Sequence, residues 1–589
     1  MEARRLDVAR RQRIASIVVL ACVGAGFLIL AGRVWYIGTA MAPTLTALAD
    51  RQQQGQRVIP ARRGLIFDTR GRIAAGSKQG YSVYADPALA IAATDEAGGS
   101  LADIARTAAT ILGVDPGLTE YRIRTSRTRR FCWLKRHVSD VQADAIRRAD
   151  LPGIRLQPEM RRTYPLGTRM AHVLGVAGID GQGLEGLEKA HDQHLSGKDG
   201  RYNTLYDARR RAITGKETGT VEPQDGGHLV LTIDAVIQEF TEEQLARRIE
   251  EHQAQSGVAI VMEPDTGEIL AMACWPTFDP GDASASPPEV RRNRTVTDPM
   301  EPGSTLKPFV ASGALEEGVV NLTETIDCGD GTHSIGGRVL MDTHACGSLT
   351  LEGIIVHSSN IGMGLIGSRM GNARLHRVVR RFGFGETTGV GFPGESAGQV
   401  APLSEWTSYS TTSVPMGYEI SVTPLQLATA YCAIANGGIL LRPRLVKALL
   451  SPDGQVVESF DTPIVVRRVL PTEIACHMTR KILVEVVRRG GQPGANLDLY
   501  EYPLLGKTGT AKLPYADRPG YEPGAYLSSF VGAAPAGHPR AVALVAIRRP
   551  NPDRGYFGRR VAAPAVKEIL FSTLSYLGVP GRGAIQAGL

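Results

Sequence analysis

The chain has 589 residues, 43% apolar and 21% charged, a balance that supports a sizeable core and excludes a disordered or low-complexity protein. Its formal net charge of +7 is spread along the sequence rather than gathered in one block, and it carries no zinc finger, RNP-type signature or Gly-rich phosphate loop. No nucleic-acid partner, no metal and no cofactor are therefore expected, and the length predicts two or three domains.

At the N-terminus, Ile14 to Ala31 form an uncharged apolar run that Val34-Trp35-Tyr36-Ile37 extends past Arg33 with interfacial aromatics. Spanning a bilayer takes about 20 such residues, so a transmembrane helix is expected over 14–37. Arg4, Arg5, Arg10, Arg11 and Arg13 precede it, which by the positive-inside bias makes 1–13 a cytoplasmic N-terminus and places the rest outside. Ala40-Met41-Ala42 would suit a signal peptidase, but the apolar run exceeds a usual signal-peptide core, so an uncleaved anchor is expected.

Residues 38–225 alternate short strand-like and helical pieces with Arg-rich turns, among them Arg62-Arg63-Gly64, Arg162-Thr163-Tyr164-Pro165 and Gly183 to Glu188, and no catalytic constellation. A turn-rich stretch, Glu222 to Gly227, marks a boundary before the apolar Leu229 to Ile233. Val258–Met262 and Ile269–Ala273, joined by Pro264-Asp265-Thr266-Gly267, read as a strand, a turn and a strand. Leu527–Ala533 and Ala541–Ile547 read as two more strands, and Ala562–Tyr576 as a closing helix. Strands at both ends of 226–575 with helices between predict an antiparallel sheet covered by helices, in an α+β protein with a C-terminal tail over 576–589. Of seven cysteines, only Cys328 and Cys346 draw notice. They bracket a Gly-rich stretch with His333, Asp342 and His344, open to a disulfide, a metal clip or free thiols.

Three short motifs fit one acyl-transfer site: Ser304-Thr305-Leu306-Lys307, Ser358-Ser359-Asn360 and Lys507-Thr508-Gly509-Thr510. Pro302 and Gly303 mark a helix start, so Ser304 and Lys307 share a face, a nucleophile beside a base. Lysine is a base only when neutral, which at pH 7 costs roughly 4–5 kcal/mol against a free pKa of about 10.4. Burial lowers that cost, and so does a second ammonium, a part Lys507 would play if the motifs meet. Ser358 is placed to relay a proton and Asn360 to present its amide to a peptide, although Ser-Ser-Asn before an apolar run is also an ordinary helix cap. On an edge-like strand, Gly506 and Gly509 would let an extended substrate approach, while Lys507, Thr508 and Thr510 suit a terminal carboxylate. Backbone N–H groups of Ser304 and Thr510 are the natural oxyanion donors.

This set resembles the penicillin-binding proteins and serine β-lactamases. The surroundings narrow the resemblance to class B penicillin-binding proteins: Arg63-Gly64 through Asp68, Arg162 to Gly167, Thr232-Ile233-Asp234 with Gln238, Asn293-Arg294, Glu301-Pro302-Gly303-Ser304, Thr423-Pro424-Leu425-Gln426 and Phe530-Val531-Gly532. The resemblance implies a dimerisation-type pedestal over 38–225 and a transpeptidase domain over 226–575. It also implies a D,D-transpeptidase that cross-links peptidoglycan: Ser304 attacks a stem peptide ending in D-Ala-D-Ala, Lys307 is the base, Ser358 the relay, Asn360 a clamp, and Lys507, Thr508, Gly509 and Thr510 bind substrate. β-Lactams are expected to acylate Ser304, and a polytopic membrane glycosyltransferase of the division or elongation machinery to be the partner. Ser-x-Asn rather than Ser-x-Asp resembles the septal branch; the alternatives are an elongation enzyme, a wall-synthesis scaffold, or a penicillin-hydrolysing or sensing protein. Glu419 departs from the family, whose members usually have glycine there, and puts that turn in question.

Overall fold

The computed structural model describes residues 2–97, 100–205, 218–489, 497, 501–515 and 517–582, and the chain forms two compact units. The first comprises 1–61 and 198–224. Its helix Glu2–Thr39 contains an apolar stretch, Leu6–Thr39, long enough to cross a membrane and buried nowhere against protein. A second helix, Ala42–Gln53, leads into a three-stranded sheet in which Gly200–Leu205 lies between Gln54–Ile59 and Thr218–Val221.

The second unit, 62–197 with 225–589, holds the motifs. Its central sheet has five strands in the order Ile269–Trp275, Ser256–Met262, Ala541–Arg548, Tyr521–Ala534, Leu505–Pro514, every neighbouring pair antiparallel. Distant parts of the chain thus complete one sheet, as the strand pattern anticipates. Alternation decides the two faces. Ala259 and Val261 pack with the helices Ala235–Glu251 and Ala563–Tyr576, whereas Val258, Ile260 and Met262 join the core containing Phe309 and the helix Pro424–Ala435. Gln238 pins the first of these helices to the sheet: its amide donates to Met272 O at 2.9 Å and accepts from Met272 N at 2.8 Å.

A second, seven-stranded sheet mixes early and late segments. His228–Leu231, just past the turn-rich stretch, lies between Val446–Leu450 and the short strand Ile66–Phe67, which leads on to Ile73–Ala85. Beside it the three Arg- and Glu-bearing turns of the pedestal segment converge. Glu188 is fully buried and accepts from Arg63 Nε and Arg162 Nε, both at 2.6 Å, while Arg63 Nη1 reaches Asp192 at 2.6 Å. Those turns are therefore a buried ionic joint rather than a reactive site.

Candidate active site

The turn that carries Ser304 is a 3-10 helix, Gly303–Leu306, that runs into the α-helix Lys307–Glu316. Residues three apart share one face across such a turn, which puts Ser304 and Lys307 on the same side, and Pro308 sits in the first helical turn where its missing N–H costs nothing. The turn is clamped from two sides. Gly303 N donates to Gly417 O, and a Cβ on Gly417, whose φ is +86°, would lie 2.0 Å from Gly303 O. Below, Tyr431 OH donates to Thr305 O at 2.8 Å. Glu419 in the same turn takes φ +64°, the left-handed conformation that glycine adopts at no cost, with its carboxylate held by Ser410 Oγ at 2.7 Å.

Lys307 is fully buried, and its Nζ donates to Ser358 O at 2.6 Å, Ser358 Oγ at 3.2 Å and Asn360 Oδ1 at 2.8 Å. Lys507, 1% exposed, donates to the same Ser358 Oγ at 3.0 Å. Two ammonium groups thus compete for one hydroxyl, with no ion pair to either among the described residues. Burial pushes the Lys307 pKa down to about 7, against an upward pull from Asp342. Burial, and then the neighbouring Lys307, hold Lys507 well below the usual lysine range. The buried amine therefore gives up its proton far more readily than a free lysine, of which roughly one in a few thousand is neutral at pH 7. Among the described residues Ser304 Oγ makes no hydrogen bond with Lys307; Ser304 lines the cavity, and Lys307 lies buried behind Ser358 and Asn360, which line it too.

Ser358 owes its place to backbone geometry: it caps the helix Leu351–His357 in the left-handed region, φ +57°. The next residue does what the bland reading of the motif proposes. Ser359 is the N-cap of the helix Asn360–Arg381 and accepts from Gly362 N at 2.9 Å. Asp342, which the sequence offered only as part of the Cys328–Cys346 stretch, completes this cap. Its carboxylate accepts from Ser359 Oγ at 2.5 Å, from Ile361 N at 3.2 Å and from Asn360 N. Cys328 and Cys346 are free thiols, and among the described residues no group of three or more His, Cys, Asp or Glu is arranged to hold a metal.

The third motif lies on Leu505–Pro514, the edge strand of the central sheet, with Thr508 and Thr510 half-buried and Lys507 and Gly509 buried. The space beside Gly509 is filled by protein: a Cβ there would lie 2.4 Å from Ser529 Oγ and 2.9 Å from Thr305 Cγ2. Gly509 therefore lets the strand lie against the turn that carries Ser304, and Gly506 likewise makes room for the Phe530 ring. A cavity of about 360 Å³ opens above, lined by Ser304, Ser358, Asn360, Thr508 and Thr510. Its far wall comes from residues without a motif, Tyr526 stacked on Tyr556 at 4.1 Å and Phe557.

Residues 257–571 match the family described as penicillin binding protein transpeptidase domain, and 58–231 match the penicillin-binding protein dimerisation domain. The chain belongs to the penicillin-binding proteins, in class B. It is 32% identical over 567 residues to the peptidoglycan D,D-transpeptidase FtsI of Escherichia coli and 31% identical over 566 residues to the probable peptidoglycan D,D-transpeptidase PenA of Neisseria gonorrhoeae, in each case covering 95% of this chain and 92% of the relative. Penicillin-binding protein 3 of Mycobacterium tuberculosis, solved with aztreonam, superposes with a TM-score of 0.67 at 28% identity, covering 89% of this chain and 98% of that one.

Proposed function

We propose that this protein is a membrane-anchored peptidoglycan D,D-transpeptidase working through a Ser304 acyl-enzyme. The observation that carries the assignment is a fully buried Lys307 that shares the Ser358 hydroxyl with Lys507 under a cavity lined by Ser304, Thr508 and Thr510. In the forward step neutral Lys307 takes the Ser304 hydroxyl proton as Oγ attacks the penultimate D-Ala carbonyl of a stem peptide. The N–H groups of Ser304, at a helix start, and Thr510, on an edge strand, receive the oxyanion. Ser358 passes the proton from Lys307 to the departing D-Ala amine. A neighbouring stem's amine then attacks the acyl-enzyme, gives up its proton by the same route and frees Ser304.

Asn360 is read as a clamp with a double duty. Its Oδ1 holds Lys307, and its Nδ2 donates to Met341 O at 3.1 Å, so the amide that meets a peptide backbone is already fixed. Septal wall synthesis is the branch we favour, on the Ser-x-Asn form of the second motif. The arginines at 10, 11 and 13 support a cytoplasmic N-terminus and an extracytoplasmic catalytic domain, with a polytopic glycosyltransferase as partner.

Fluorescent penicillin should label the full-length protein covalently and leave Ser304→Ala unlabelled; equal labelling of both would remove Ser304 from the nucleophile's role. A fluorescent fusion gathered at midcell supports septal work, and a lateral pattern would assign the chain to elongation.

A further inference from the structure

The proposed substrate ends in a carboxylate, and Lys507 is poorly suited to meet it alone. Its Nζ is buried, engaged with Ser358 and Thr508, and held well below its usual pKa by burial and by Lys307. A cation that readily sheds its proton is a weak anchor for an anion.

Two other cations line the cavity, the exposed Lys512 and the half-buried Arg559, and of these Arg559 is the one held in place by hydrogen bonds among the described residues. Arg559 lines it beside Thr508 and Thr510, on the helical turn Gly558–Val561. That turn is fixed to the third motif: Gly558 N donates to Thr510 Oγ1 at 3.0 Å, and a Cβ at position 558 would lie 2.3 Å from Ser529 O and 2.4 Å from Gly509 O. Among the described residues only main-chain carbonyls hold the half-buried guanidinium. Nη1 donates to Val486 O at 3.4 Å and Nη2 to Val487 O at 3.2 Å, while Nε is buried without a partner. No carboxylate pairs with it among the described residues, and Asp342, the acidic member of the cavity lining, is committed to its helix cap. Burial lowers the Arg559 pKa, which a guanidinium tolerates without losing its proton.

We propose that Arg559 is a further substrate-binding residue, supplying the positive charge that draws the terminal carboxylate of a stem peptide or β-lactam onto the hydroxyls of Thr508 and Thr510. Lys507 is then left to hold Ser358. The inference rests on the transpeptidase reading and names the residue that selects for a charged ligand.

The test compares acylation rates of the full-length, detergent-solubilised protein by a penicillin and by the methyl ester of the same penicillin, in wild type, Arg559→Gln and Arg559→Lys. Arg559→Gln should slow the acid about 10- to 100-fold, the range of a charge-assisted contact, and leave the ester rate unchanged. Arg559→Lys should recover most of the acid rate, and the preserved ester rate shows that the variant is folded. Equal losses on acid and ester, or no loss on the acid, would overturn the proposal while the transpeptidase reading stands. If neither compound labels wild type, both fall together.

Discussion

Two clusters in this molecule bury positive charge, and they do it in opposite ways. In the pedestal segment Arg63 and Arg162, each 6% exposed, close on the fully buried Glu188, with Asp192 at the rim. In the transpeptidase segment Lys307 and Lys507 are at least as deeply buried, and what they share is a hydroxyl. An ion placed in a low-dielectric interior must be paired or discharged, because leaving it charged and alone costs several kcal/mol. Arginine does not discharge at physiological pH, so the first cluster carries its own anion and acts as a joint. Lysine does discharge, so in the proposed mechanism the second converts the same desolvation into a base for Ser304.

The contrast breaks first at Lys307. Lys307→Met should slow acylation by penicillin about 10²- to 10⁴-fold, the usual worth of a general base, while the fold survives. Its stability profile should change too. Below pH 7 native Lys307 is protonated and pays for burial; as pH rises above about 7 it sheds a proton that the unfolded chain keeps until near 10.4. Unfolded protein then binds more protons than folded, so this group makes stability rise with pH across that window. Urea titrations at several pH values should show the rise in wild type and a smaller one in Lys307→Met.

At the joint the expected damage is to stability. Glu188→Ala leaves the Arg162 guanidinium without a carboxylate and Arg63 with Asp192 alone, and should destabilise by about 3–5 kcal/mol, seen as a lower urea midpoint, with the acylation rate of the remaining folded protein unchanged. The smallest effect belongs to Asp342. Its carboxylate raises the Lys307 pKa, so Asp342→Asn should move the midpoint of the acylation pH profile below 7, and the retained amide oxygen should keep the stability loss of the cap under about 1 kcal/mol. A midpoint that moves upward would contradict that electrostatic role.

Much of this arrangement was legible in the sequence, for reasons that particular residues make plain. Val258–Met262, Ile269–Ala273 and Ala541–Ile547 are near-continuous apolar runs because their strands are covered on both faces, and each run marks a strand that the structure extends by one or two residues at one end. The three motifs are short because each is one turn or one strand edge. Asp342 was not legible as a cap, since it lies far along the chain from the Ser359 it supports and sits in a stretch whose cysteines and histidines drew the eye to metal chemistry. The aromatic wall of Tyr526 and Tyr556 was equally hidden, because it stacks a strand residue on one from the loop before Gly558, thirty positions on, and such a pairing leaves no spacing rule. Gly509 shows the reverse error: a glycine read as room for substrate is room for Thr305.

The measurement that tests the central claim most directly is the second-order rate of Ser304 acylation by penicillin across about pH 5 to 9, on full-length protein. A buried lysine with its pKa near 7 predicts a rate that climbs with pH and levels off, with a midpoint close to 7 that is absent in Lys307→Met. A rate that keeps climbing with no midpoint below about 9, or a profile that Lys307→Met leaves unchanged, would contradict it.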